Sequence, residues 1–331
     1  MKITILGAGN WGTTMALVLQ RTGHRVTLWE YDIAQAELVS RTRKNEKFLP
    51  GYVLPNEITV TSGLDAALDS AELCLLAVPV QKCSGVLRNI RRIPANALIV
   101  SLMKGIEQSS LKRVSEICLH ELPAVDSSHF AVISGPTIAP EVAAGLPTTA
   151  VVASSSHETA ETVQKEFSTR ELRLYTSNDV IGVELAGALK NVIALAAGMC
   201  DGMKLGYNTK GALLTRGLAE IKRLGVSLGG DKSTFGGLSG MGDLITTCSS
   251  PHSRNHTVGE RIGRGDSPTH VLENMVMVAE GVWTAQAASD LARKRGIEMP
   301  ITEMVRRVIY EGKDPRASVS ELMLRNLKAE D

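Results

Sequence analysis

Lys2-Ile3-Thr4-Ile5-Leu6-Gly7-Ala8-Gly9-Asn10-Trp11-Gly12 reads as a short strand that runs directly into a glycine turn and then, from Thr13 to Arg21, into an amphipathic helix. The order carries the signal, because a G-x-G-x-x-G without its strand and helix is weak. In this context each glycine has a task. Gly7 makes the tight turn, Gly9 lets backbone approach a pyrophosphate, and Gly12 lets the helix pack on the strand. Amides at the helix N-terminus then face the phosphates, which predicts a dinucleotide site. Glu30 stands at the end of the next strand, about 20 residues on, where a carboxylate accepts hydrogen bonds from the adenosine ribose hydroxyls. A carboxylate there repels a 2′-phosphate and predicts NAD over NADP. Arg41, Arg43 and Lys44 follow closely enough to neutralise that phosphate, so both coenzymes stay open.

Beyond the fingerprint, short β-branched runs alternate with helical stretches up to about residue 177. Strands are predicted at Ile3-Leu6, Arg25-Trp29, Ile58-Val60, Leu73-Val78, Leu98-Leu102, Ala131-Ser134, Ala150-Ala153 and Leu172-Tyr175. Runs such as Leu73-Cys74-Leu75-Leu76-Ala77-Val78 are apolar throughout, as strands buried on both faces are. The reading is α/β: a Rossmann-type, mostly parallel sheet with helices on both faces. From Ser177 onward long periodic segments replace strands (Ile181 to Met199, Thr209 to Leu224, Trp283 to Arg295, Ile301 to Tyr310), punctuated by glycines between Gly225 and Gly242. This predicts a dinucleotide-binding domain over 1–177 and an all-helical domain over 178–331 for substrate binding and catalysis.

Composition agrees with two domains, since 331 residues is long for a single core and 44% hydrophobic residues fill two. A net charge of +1, with no Lys/Arg stripe, points away from nucleic acid and membrane surfaces and toward a small-molecule partner. The first strand begins at once, leaving no room for a signal peptide, and no apolar run is expected to reach the length of a membrane span, so the expected location is cytoplasmic. The five cysteines (Cys74, Cys83, Cys118, Cys200, Cys248) form no C-x-x-C pair, which fits reduced thiols rather than disulfides or zinc.

In the apolar segment Val183 to Met199 the charges are Glu184 and Lys190. On a helix, Lys190 is flanked by Ala186, Gly187, Ile193 and Ala194, a smooth surface that another segment or a ligand can approach. An ammonium desolvated there exchanges its proton near neutrality; the alternative is a lysine snorkelling at the rim of a buried helix. Ligands of open α/β sheets bind outside the carboxyl ends of the strands. Lys104 lies there, just past Leu98-Leu102, and so does Gly135-Pro136-Thr137, although Lys104 also reads as a solvated loop charge. In the helical half, Asp243 in Gly240-Met241-Gly242-Asp243-Leu244 is placed to pair with a buried cation or to cap a helix. Ser253-Arg254-Asn255 just precedes a helical stretch and supplies a hydroxyl, a guanidinium and free amides, the parts of a phosphate cradle; Arg254 also reads as a surface arginine. His252 and His256 are four apart, but no third metal ligand accompanies them, so no metal is expected.

These segments together resemble the bacterial-type NAD(P)-dependent sn-glycerol-3-phosphate dehydrogenases. The likeness runs nearly end to end through Gly7 to Gly12, Phe48-Leu49-Pro50, Lys104-Gly105, Ile133 to Thr137, Glu141 with Ala144 to Pro147, Leu189-Lys190-Asn191, Thr215 to Glu220, Gly240 to Leu244 and Ser253 to Asn255. The resemblance implies that Lys190 is the catalytic proton donor and acceptor, and that Lys104 contacts substrate and cofactor. It makes Gly135, Thr137, Asp243, Ser253, Arg254 and Asn255 the other substrate contacts. It adds Asn10, Trp11, Ala139, Val278, Glu280 and Arg254 to the cofactor contacts, and puts the family's variable position after the second strand near Tyr31. It further implies dihydroxyacetone phosphate and sn-glycerol 3-phosphate as the substrate pair, glycerophospholipid synthesis as the use, and a homodimer. Two other readings share the architecture. One is a β-hydroxyacid or 6-phosphogluconate-type dehydrogenase, which also uses a lysine on a connecting helix and against which the Gly240 to Leu244 and Ser253 to Asn255 segments speak. The other is a nucleotide sensor that has lost the reaction, against which the intact Lys190, Lys104, Asp243 and Arg254 speak.

Overall fold

The structure, a computed structural model, describes residues 1–275, 277–327 and 329–330. Among them β1 (Lys2–Leu6), β2 (Arg25–Trp29), β3 (Thr59–Thr61), β4 (Leu73–Leu76), β5 (Leu98–Ser101), β6 (Phe130–Ser134), β7 (Thr148–Ser154) and β8 (Leu172–Ser177) form one sheet. Its order is β3-β2-β1-β4-β5-β6-β7-β8. All neighbours pair parallel except β6 and β7. The first six strands thus have the doubly wound order, with a topological switch point between β1 and β4.

Helices α1 (Asn10–Arg21), α2 (Ile33–Thr42), α3 (Leu64–Leu68), α4 (Val80–Arg88), α5 (Val114–Glu121), α6 (Ala139–Ala143) and α7 (His157–Phe167) connect the strands. Strand alternation sends Ile3 and Ile5 into one core with Met15 and Leu19 of α1, and Leu6 into the other with Val80 and Leu87 of α4 and Ile117 of α5. Each buried aliphatic side chain stabilises by about 1.5–3 kcal/mol. The predicted strands are all present, with adjusted ends. The run read as Leu73-Val78 leaves the sheet at Leu76, because Pro79 caps α4 and must turn the chain there.

The remainder is helical: α8 (Val180–Gly202), α9 (Gly206–Ser227), α10 (Asp243–Ser249), α11 (Arg254–Gly263), α12 (Pro268–Glu273), α13 (Gly281–Arg295), α14 (Pro300–Glu311) and α15 (Pro315–Met323). Every residue of α8 from Gly182 to Cys200 is buried. The expectation that no apolar run reaches a membrane span is corrected here, because α8 is long and apolar enough to do so. Its surface is covered by protein instead, with α9, α10, α11 and α13 around it and β6 against its first half. The contact with α11 is backbone on backbone. A Cβ on Gly198 would lie 2.0 Å from the His256 carbonyl oxygen, and one on Gly259 would lie 2.0 Å from that of Leu195. The five cysteines are buried and unpaired.

Candidate active site

Lys190 does not snorkel. It is 5% exposed, and its Nζ donates to Asp243 Oδ1 at 2.5 Å and to Thr247 Oγ1 at 2.6 Å. The small face around it works as the sequence suggests: Gly187 lies against β6, where a Cβ would come within 2.6 Å of Ser134 Oγ. That seats α8 at the carboxyl end of the strand. Lys104, on the loop after β5, donates to Asp243 Oδ2 at 2.7 Å, to the Gly135 carbonyl at 2.9 Å and to Thr137 Oγ1 at 3.2 Å. One carboxylate, itself buried, therefore bridges two ammonium groups, and the loops after β5 and β6 and the helices α8 and α10 converge on it. Burial pushes Lys190 down to about 8, against the pull of Asp243 and with the help of the Lys104 charge.

Asn191, the next residue on α8, donates to the Lys104 carbonyl at 3.0 Å and accepts from Asn255 Nδ2 at 3.0 Å. Asn255 Oδ1 in turn accepts from the Gly281 amide at 2.9 Å. The side-chain amide of Asn255 is thus buried and bonded through both its oxygen and its nitrogen, while its backbone N–H lies in the first turn of α11. Ser253, Arg254 and Asn255 do not precede the helix but begin it: Ser253 is the N-cap of α11, with its Oγ accepting from the His256 amide, and Arg254 opens the first turn with an exposed side chain. His256 is no metal ligand in this arrangement. Its Nε2 meets Asp201 Oδ2 at 2.7 Å, and the described residues contain no group of three or more His, Cys, Asp or Glu able to hold a metal.

On the dinucleotide side, Gly7 adopts φ +113°, and a Cβ on Gly12 would lie 2.0 Å from the Gly7 carbonyl oxygen, so helix and turn touch. A Cβ on Gly9, by contrast, would meet nothing within 4 Å. This open space lies at the N-terminus of α1, whose first turn carries no acidic residue. The turn therefore fits a pyrophosphate. Asn10 donates to the Phe48 carbonyl, and Trp11 packs partly buried against the sheet core. Glu30 Oε1 accepts from the Asp32 amide at 3.1 Å, and Tyr31 is 78% exposed. The Arg43 guanidinium is taken up by the carbonyls of Leu54, Pro55 and Ile58, which withdraws one of the cations available to a 2′-phosphate. Ala139 is buried at the start of α6, with its carbonyl near Thr14 Oγ1, and Val278 is half-buried. Glu280 Oε1 caps α4 through the Val80 amide at 2.9 Å, while its buried Oε2 has no partner among the described residues; burial pushes this carboxyl up to about 7. An orphaned acceptor at the first turn of α4 suits the N–H of a bound cofactor.

Two contributors escaped the sequence reading. Thr247 is one, and its signal was four-residue spacing from Asp243 on the same helix face. Asn191 is the other, and it stood in the Leu189-Lys190-Asn191 segment without a role of its own.

The family description "NAD-dependent glycerol-3-phosphate dehydrogenase N-terminus" matches residues 2–160, and its C-terminal counterpart matches residues 179–320. The glycerol-3-phosphate dehydrogenase [NAD(P)+] of Chlorobium limicola is 47% identical over 100% of this chain and 99% of that protein. That of Geobacillus thermodenitrificans is 48% identical over 99% of this chain and 96% of its own. The crystal structure of glycerol-3-phosphate dehydrogenase from Coxiella burnetii superposes with a TM-score of 0.94 at 37% identity, covering 98% of this chain and 99% of that one. A D-mandelate dehydrogenase, at 14% identity and a TM-score of 0.64, shares the fold alone. The 6-phosphogluconate-type alternative gives way to these matches. The chain belongs to the NAD-dependent glycerol-3-phosphate dehydrogenase family and is an NAD(P)-dependent oxidoreductase acting on a CH–OH group.

Proposed function

We propose that the chain interconverts dihydroxyacetone phosphate and sn-glycerol 3-phosphate with Lys190 as proton donor and acceptor. The observation that carries the roles is the buried Asp243 carboxylate held between the two lysines at 2.5 and 2.7 Å. Gly7, Gly9, Asn10, Trp11, Gly12, Glu30, Tyr31, Ala139, Val278 and Glu280 would hold NAD(P)H, which would supply or take the hydride at the carbonyl carbon. Lys190 gives its Nζ proton to the developing alkoxide, and a group titrating near 8 can return to either state near neutrality. Lys104 lends a second positive charge to that oxygen and reaches the cofactor side, while Gly135 and Thr137 hold Lys104. Asp243 and Thr247 fix the direction of the Lys190 ammonium. Ser253, the Arg254 guanidinium and the free amides at Arg254 and Asn255 take the phosphate, which holds the reacting carbon in place from a distance.

The Glu30 carboxylate favours NAD over NADP in this reading, since Arg43 is engaged elsewhere. Residues 1–177 act as the dinucleotide-binding domain and 178–331 as the substrate-binding and catalytic one, with the reaction between them. The setting is cytoplasmic, where the product feeds glycerophospholipid synthesis. The active form is a homodimer through the helical half, where Tyr207, Met323, Leu324 and Leu327 present exposed apolar surface. The test is loss of NADH absorbance on addition of dihydroxyacetone phosphate, with NADPH in parallel and sedimentation to weigh the particle. Cofactor binding without ketone-dependent oxidation would overturn the reaction and leave a nucleotide sensor.

A further inference from the structure

Asp243 reaches the two lysines only because of how the chain arrives at it. Immediately before it, Leu238–Gly242 form a π-turn, closed by the Gly242 amide on the Gly237 carbonyl at 3.1 Å. Such a turn holds one residue more than an α-turn and rotates the next helix, α10, by about 100°. The π-turn is braced from behind. A Cβ on Gly240 would lie 2.1 Å from the Phe235 carbonyl oxygen, and the fully buried Phe235 ring fills the space that a Cβ on Gly225 would occupy. Phe235 follows Thr234, and Thr234 Oγ1 donates to Asp179 Oδ2 at 2.6 Å. The same oxygen accepts from the Asp231 amide at 2.8 Å, and Asp179 Oδ1 accepts from the Gly182 amide at 2.8 Å.

Asp179 is therefore the N-cap of α8 and the anchor of the loop that delivers Asp243. Eleven residues separate Asp179 from Lys190, about three helical turns, which return to the same face about 16 Å along the axis. The helix carries Lys190 and the braced loop carries Asp243, and both are measured from one carboxylate. We propose that Asp179, acting through Thr234 and the π-turn, is a positioning residue that sets the register between α8 and α10 and so places Asp243 between Lys190 and Lys104. This rests on Lys190 being the proton donor. Asp179 touches neither lysine.

Asp179→Asn keeps the volume but loses a carboxylate oxygen from a set that serves three donors. Slipping Asp243 by about 1 Å costs on the order of 10²-fold in turnover, so kcat for ketone reduction should fall by about 10- to 100-fold while NADH affinity, set at α1, holds. The groups facing Lys190 are Asp243, Thr247, Lys104 and the Cys248 thiol. With Asp243 withdrawn, burial and the Lys104 charge outweigh the small opposing effect of Cys248, so the alkaline limb of kcat should move to lower pH than in the wild type. A loss of fold alone would lower the amount of active enzyme without moving that limb. If Asp179→Asn does not fold, Thr234→Val and Thr234→Ser decide instead: the valine variant should show the shifted limb and the serine variant should restore it. A folded Asp179→Asn with wild-type kcat and an unmoved limb overturns the proposal, as does a valine variant like the serine one. Lys190→Ala runs alongside. If it retains turnover, the proton-donor reading falls first; if it is inactive while Asp179→Asn is wild-type-like, the positioning role alone falls.

Discussion

Replacing Lys190 by alanine removes the proposed proton donor but not the structure around it. Asp243 keeps Lys104 at 2.7 Å and the Thr247 hydroxyl at 3.2 Å, so no buried carboxylate is orphaned and the cost of about 3–5 kcal/mol for stripping a buried charge of its partner does not arise. The loss should appear in catalysis. General acid catalysis contributes about 10²–10⁴-fold, which at about 1.36 kcal/mol per factor of ten is roughly 2.7–5.4 kcal/mol of transition-state stabilisation. Steady-state reduction of dihydroxyacetone phosphate, followed by NADH absorbance, should give a kcat lower by that factor, and a fluorescence titration should give an unchanged Kd for NADH. The pH dependence supplies an independent check. With Lys190 as the acid, reduction needs the ammonium, so wild-type kcat should be full below about 8 and fall as pH rises through it, whereas oxidation of glycerol 3-phosphate needs the free amine and should rise over the same interval. Lys190→Arg keeps a cation that does not deprotonate in this range, so it should stay slow and lose the alkaline limb. An alanine variant with near wild-type kcat, or with the same limb at about 8, would refute the reasoning, because the titrating acid would then be another group.

Arg254→Lys retains the charge and loses the planar fork, so the Michaelis constant for dihydroxyacetone phosphate should rise by about 10- to 100-fold, the equivalent of a charge-assisted hydrogen bond, with a smaller change in kcat; an unchanged constant would move the phosphate elsewhere. The Glu30 carboxylate predicts a lower Michaelis constant for NADH than for NADPH, and Glu30→Gln should narrow the gap; equal constants in the wild type would sink the preference. Gly12→Ala drives a Cβ to 2.0 Å from the Gly7 carbonyl and should lower the melting temperature sharply. Gly9→Ala, with nothing within 4 Å, should melt like wild type yet bind NADH more weakly; unchanged NADH binding in that variant would place the pyrophosphate off the glycine turn.

The strands were legible because burial on both faces leaves an apolar run that needs no partner to be recognised, as in Leu73 to Leu76. Direction was not. The sequence of β7 carries nothing that says it runs against β6, since the side chains of a doubly buried strand look alike either way. Lys190 stood out as a charge in an apolar helix, and Asp243 as an acid between a glycine turn and an apolar run, but their meeting spans 53 residues, and that of Lys104 with Asp243 spans 139. No local pattern records such a distance. Asn255 shows a different limit. The backbone amides that the sequence offers at this turn carry no mark of what the Asn255 side chain does, which is to bond Asn191 and the Gly281 amide.

What joins these pieces is a contact that residue chemistry alone conceals. Gly198 and Gly259 let α8 and α11 meet backbone to backbone, at a separation no side chain could fill and none can adjust. Lys190 rides on the first of these helices, and the Ser253-Arg254 turn opens the second. The proposed proton donor and phosphate cradle are therefore held at one fixed spacing by main chain rather than by flexible side chains. Binding energy gathered at a phosphate can promote reaction at a remote carbon only if the span between the two does not give. In this chain two glycines inside helices, Gly198 and Gly259, supply that stiffness.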